Sequence, residues 1–209
     1  MAVRRGAAAD PNQLWLNLGD GPERPPPTAV HGDSVFFAIR PDPETALRAE
    51  EFTGGLQRRY GLPGTPRPAR VLHMSLIGLG DYQRLSRDVI ATARHAASTV
   101  RRIPFVVALD RVRNFNRTEG YTIVLDGDDG VVGFLALYQA LGKAMEDVGL
   151  KLDRRAEVTP HLTLHYSDRS VPEAVLDEPI AWTVREFVLV RSRYGNTRHD
   201  CLDRWPLRE

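Results

Sequence analysis

The chain has 209 residues, of which 42% are hydrophobic and 26% charged, and its net charge is +1. That length bounds it to one compact domain or two small lobes sharing a core, and the near-neutral balance excludes the strong field of a general nucleic-acid binder. One cysteine, Cys201, excludes an intrachain disulfide and a Cys-based metal cluster.

The positive charge is almost all arginine, since lysine occurs only at Lys143 and Lys151. Arginine suits bidentate phosphate contacts, although an Arg-, Ala- and Pro-rich composition equally reflects a GC-rich genome. No apolar run approaches the ~20 residues of a membrane helix. Gly6 to Pro11 is too short and polar for the apolar part of a signal peptide. A cytoplasmic protein is expected.

Residues 1–33 hold Pro22, Pro25, Pro26 and Pro27 and read as an irregular or extended lead-in, with Trp15 and its leucine neighbours as a docking point. The body is expected over 34–209. Ser34 to Arg40 (SVFFAIR) is a buried strand. Asp42-Pro43-Glu44 then caps a helix that runs to Tyr60 and stops at Gly61. After the loop Gly61 to Pro68, Val71 to Leu79 is a strand, and Tyr82 to Val100 continues as a helix. Pro104 to Leu109 is a strand and Tyr121 to Leu125 another, paired as a hairpin across the basic stretch Arg111 to Glu119. Asp126 to Gly130 is a turn leading into a helix over Val131 to Val148, which Gly149 closes. Val158 to Tyr166, Ile180 to Arg191 and Arg198 to Leu207 complete the set as strands. The pattern predicts an α+β fold of two lobes related by a pseudo-two-fold. Each lobe combines a sheet with helices.

One short string occurs twice, each time on a strand. His73-Met74-Ser75-Leu76 lies in the first half and His161-Leu162-Thr163-Leu164 in the second. Side chains alternate along a strand, so His73 and Ser75 share one face, as do His161, Thr163 and His165. By average residue usage one copy arises by chance in about a few per cent of chains of this length, and two in about a tenth of a per cent. The alternative is a pair of satisfied, partly buried strand histidines. Imidazole titrates near neutrality, so one histidine can act as base while the other acts as acid. Ser75 and Thr163 can donate to the non-bridging oxygens of a phosphoryl group. No carboxylate recurs at a fixed offset to complete a metal-ligand set, so no metal is expected.

These residues resemble the two-histidine phosphoesterase superfamily, and within it the RNA 2′,3′-cyclic phosphodiesterase and 2′-5′ RNA ligase group. The resemblance spans residues 34–207 and rests on four blocks in order. They are Val35-Phe36-Phe37-Ala38-Ile39, His73 to Gly80, Pro160 to Leu164, and Val190 to Arg193 followed by Arg204-Trp205-Pro206-Leu207. It implies the bilobal fold, each lobe an antiparallel sheet with helices on its outer face and a cleft between the lobes, and hydrolysis of a 2′,3′-cyclic phosphate to a 2′-phosphate, with possible reversal to 2′-5′ ligation. By similarity His161 activates water, His73 protonates the 3′-oxygen, and Ser75 and Thr163 bind the phosphate. It also implies RNA or a nucleotide as partner, a monomer, and no cofactor, metal or membrane. Relatives commonly carry arginine five residues after the second histidine, where this chain has Tyr166.

Further candidates for substrate contact are His165, Tyr166, Phe36, Arg191 and Arg193. For the two arginines a solvated strand edge is the alternative, and for Phe36 the core. Arg111, Arg113, Phe115 and Arg117 form a basic–aromatic run suited to RNA, or an ordinary polar hairpin. The rival activities are 2′-5′ phosphodiester cleavage, hydrolysis of an ADP-ribose cyclic phosphate, and an RNA-binding module with weak chemistry.

Overall fold

The computed structural model describes residues 14–17, 32–153 and 158–209. Its strands are β1 (Leu14–Asn17), β2 (Ser34–Ile39), β3 (Met74–Asp81), β4 (Phe105–Asn116), β5 (Tyr121–Asp126), β6 (Lys151–Asp153), β7 (His161–Ser167), β8 (Ala174–Val184), β9 (Glu186–Arg193) and β10 (Arg198–Pro206). Its helices are α1 (Pro43–Tyr60), α2 (Arg87–Thr99) and α3 (Val132–Asp147). One sheet runs β10-β9-β2-β3-β1-β6 and the other β7-β5-β4-β8. The expected α+β architecture is present: two sheets with three helices, each sheet holding one histidine strand. The four strands β10, β9, β2 and β3 pair antiparallel, and β1 extends that sheet by pairing parallel to β3. Trp15 thus belongs to a strand; residues 1–13 and 18–31 lie outside the described residues.

Local chemistry sets the helix ends as expected. Asp42 accepts from the Thr45 backbone N–H at 2.9 Å with proline at the first turn. Gly61 adopts φ 61°, and its N–H bonds the Gln57 carbonyl. That left-handed stop costs glycine nothing in side-chain strain.

One main core joins the two sheets and the helices. Val35, Phe37 and Ile39 of β2 enter it with Met74 and Leu76, Val107 and Leu109, Leu125, and Leu162 and Leu164. Phe37, Phe187 and Trp205 meet with ring centroids 5.3–6.2 Å apart, and such aromatic pairs add about 0.5–1.5 kcal/mol each beyond burial. The alternate residues Phe36, Ala38, Val188 and Val190 form a separate buried cluster on the opposite face of the first sheet. That second face carries the site.

Four boundaries differ from expectation. The His73 strand begins at Met74, after a 3-10 turn over Ala69–Val71. Helix α2 starts at Arg87, capped by Ser86, rather than at Tyr82. Residues 104–119 do not split into a strand and a polar loop. Strand β4 runs unbroken from Phe105 to Asn116, and an irregularity between Leu109 and Arg111 shifts the inward parity from Val107 and Leu109 to Val112. The break in alternation disguised one strand as two segments. The reverse happened at 180–191, where apolar residues continue across Arg185 although β8 and β9 belong to different sheets.

Candidate functional site

On the first sheet, His73 immediately precedes β3, with Ser75 two residues on and partly buried. Its ring stacks on Phe36 with centroids 4.9 Å apart. Its Nδ1 donates to the Val71 carbonyl at 2.8 Å. On the second sheet, His161 opens β7, with Thr163 two residues on. Its ring meets Phe115 edge-on at 5.0 Å, and its Nδ1 donates to the Thr159 carbonyl at 2.7 Å. Each imidazole is therefore held by the carbonyl two residues before it and braced by a phenylalanine of its own sheet, Phe36 from the adjacent β2 and Phe115 from β4, two strands away from β7. A carbonyl only accepts, so Nδ1 carries the proton and Nε2 is left for chemistry. A neutral ring offers a lone pair there, and a charged one offers N–H.

Strands β3 and β7 lie in contact, and the charge of His161 is felt at His73. Burial pushes the His73 pKa down to about 4, the charges of Arg67, Arg40 and His161 push the same way, and the bond to Val71 opposes them. Burial and these cations favour the neutral form of His73. Asp126 lies directly across from His161 on β5, and burial raises its pKa against the pull of Arg113, which bonds it at 3.1 Å.

The weaker candidates divide. Phe36 sits in the site as the floor under His73. Tyr166 is on the cleft side, and its ring carries Arg117 at 4.8 Å and Arg67 at 5.8 Å. Positive charge thus gathers where the tyrosine stands. His165 is not on the face of His161. The β5–β7 register shifts between Ile123 and Val124, leaving Leu164 as an extra residue that reverses the alternation. His165 is fully buried, its Nε2 2.9 Å from the Pro63 carbonyl, and it is a structural residue. The same bulge frees the Leu164 carbonyl to accept the Arg67 backbone N–H at 2.8 Å, pinning the 61–68 loop to the site. Arg191 and Arg193 face away from the histidines. Arg191 bonds Asp33 at 2.7 Å and covers Tyr82 at 3.7 Å, and Arg193 bonds Asp200 at 2.5 Å. Within the basic–aromatic run, Phe115 meets His161 and Arg117 covers Tyr166. Arg111 and Arg113 are taken by Asp128 and Asp126.

Sequence reasoning missed three residues. Arg67 comes from the loop. His199 of β10 meets His73 edge-on at 4.8 Å and Phe36 at 5.8 Å. Arg40 follows β2 directly, and the Ile39–Met74 pairing carries it alongside His73. Strand parity with Phe36 and Ala38 was a usable signal for Arg40. His199 had none without the β9–β10 register. Among the described residues no group of three or more His, Cys, Asp or Glu side chains is placed to hold a metal, and no helix is long and apolar enough to cross a membrane.

Comparison with known proteins agrees with this fold. The solved structure of E. coli LigT with 3′-AMP aligns with a TM-score of 0.68 at 23% identity, covering 86% of this chain and all of LigT (100%). A Thermus thermophilus protein, TT0787, aligns at 0.67 and 20% identity over 84% of this chain and 98% of its own. A structure described as a phosphoesterase aligns at 0.67 and 22% identity, covering 86% of this chain and 100% of that one. A search of curated proteins finds no match. The sequence pattern of the 2′-5′ RNA ligase superfamily matches residues 41–196, which include both histidine strings. With two anchored imidazoles facing one cleft in a LigT-like fold, the chain belongs to the 2′-5′ RNA ligase superfamily of two-histidine phosphoesterases.

Proposed function

We propose that this protein is a metal-independent phosphodiesterase that opens a 2′,3′-cyclic phosphate, at an RNA end or on a small nucleotide, to give a 2′-phosphate. The observation that carries this reading is the pair of histidines with Nδ1 tied to backbone carbonyls at 2.8 and 2.7 Å, each two residues before a hydroxyl. Nε2 of His161 takes a proton from water as the water oxygen bonds phosphorus. The bond from phosphorus to O3′ breaks, and Nε2 of His73 gives O3′ its proton. Ser75 and Thr163 donate to the non-bridging oxygens, where charge grows in the transition state. Burial favours neutral His73, and the anionic phosphodiester supplies the charge that favours its protonated form once bound. LigT has been solved with 3′-AMP, ATP and NADP+, which supports a nucleotide as ligand here.

The test is hydrolysis of adenosine 2′,3′-cyclic phosphate, and of a short RNA with that end, in chelator with the product isomer resolved. The expected product is the 2′-phosphate, and turnover should fall by ~10²–10⁴-fold in both His73→Ala and His161→Ala. Full turnover in His161→Ala would sink the mechanism. A wild-type protein inert on both substrates would redirect the reading to 2′-5′ linkages or an ADP-ribose cyclic phosphate.

A further inference from the structure

The N-terminal lobe buries polar groups that have no partner. Arg40 keeps Nε and Nη2 buried without a hydrogen bond, and His199 keeps its Nδ1 in the same state. Glu186, the acid whose charge reaches Arg40, is held by Arg204 at 3.3 Å. An unpaired guanidinium is costly to bury, so it marks a place that a partner completes. Arg40 adjoins His73 across the β2–β3 pair, His199 meets His73 edge-on, and Arg40's charge acts on both rings. Phe36, Ala38 and His199 lie with His73 on one face of the sheet.

We propose that Arg40 is a substrate-binding residue that takes a non-bridging oxygen of the substrate phosphate in its guanidinium fork, with His199 walling that position against His73. The proposal rests on the phosphodiesterase reading and adds a cationic contact to the two hydroxyl donors. A guanidinium matches two phosphoryl oxygens bidentately, which an ammonium does not. Phosphate on Arg40 also neutralises one of the cations that oppose protonation of His73. The others facing that ring are Arg67, His161 and, when charged, His199.

The experiment titrates inorganic phosphate and 2′-AMP into the full chain and into Arg40→Met, Arg40→Lys and His199→Phe, with melting temperature measured alongside. Arg40→Met should weaken both ligands about tenfold to a hundredfold, as the loss of a charge-assisted bond requires, while leaving the melting temperature equal or higher. Arg40→Lys should recover part of the affinity, and His199→Phe should keep most of it. Unchanged phosphate affinity in Arg40→Met, or weakened binding with a lowered melting temperature, overturns the role of Arg40 and leaves the phosphodiesterase reading standing. Wild-type protein that binds neither ligand and turns over no cyclic phosphate overturns both.

Discussion

Acid should unfold this protein through two histidines of its cleft. Burial, as the largest cause, holds His73 down at about 4 and His199 at about 2 in the folded chain, whereas an unfolded histidine titrates near ~6.5. Between those limits the unfolded chain binds protons that the folded chain refuses. The stabilisation is therefore complete above about pH 6.5, is lost as pH falls, and levels off only below the folded values. For one such site, the step from about pH 7 to about pH 5 raises the unfolded state's binding polynomial, 1 + 10^(pKa − pH), by roughly 25-fold and the native one's hardly at all. That is a loss of about 2 kcal/mol, and up to about 4 kcal/mol for the pair. The assay is urea denaturation at both pH values on wild type and His199→Phe, which keeps an aromatic edge against His73 but cannot titrate. Other groups cancel in the comparison, so the variant should lose about 2 kcal/mol less than wild type on acidification. Equal losses in the two proteins would refute the claim that His199 is kept neutral by burial.

The hydroxyls should matter to rate and not to folding: Ser75→Ala and Thr163→Ala are each expected to lower kcat ~10²–10³-fold in steady-state hydrolysis, with the denaturation midpoint nearly unmoved, and unchanged kcat would remove them from the phosphate site. Arg191 should show the opposite profile, because it pairs with half-buried Asp33 and covers Tyr82. Arg191→Met should cost about 1–3 kcal/mol by denaturation and leave turnover intact, and lost turnover in a fully stable variant would return it to the cleft.

The histidine pair was legible because a strand's period of two turns sequence spacing directly into a shared face, and His73/Ser75 and His161/Thr163 obey it. His165 was misread by the same rule, since the bulge at Leu164 inserts one residue and inverts every face beyond it. A bulge leaves little trace in residue type, so parity holds only as far as the ladder is regular. The switch at Arg185 was hidden for a related reason. Phe187–Val190 is buried on both faces, so its apolar run reads as a continuation of β8. Arg40 and His199 come to His73 from strands far apart in sequence, and no local pattern encodes that meeting.

The two halves repeat a backbone solution but not an electrostatic one. Both imidazoles are tied by Nδ1 to the carbonyl two residues back, so geometry alone gives them the same tautomer. Acid–base catalysis needs them to differ. The difference comes from neighbours that the repeated string does not contain. His73 is surrounded by cations, Arg40 and Arg67, and by a third ring, His199. His161 has a buried carboxyl across the ladder, Asp126, and an apolar ring, Phe115. These neighbours disfavour a proton on His73, and in the proposed reaction an anionic phosphate bound among Arg40, Arg67 and His73 opposes that field. In the proposed reaction the acid form of His73 is made by the substrate it serves, so no buried imidazolium has to be held before binding.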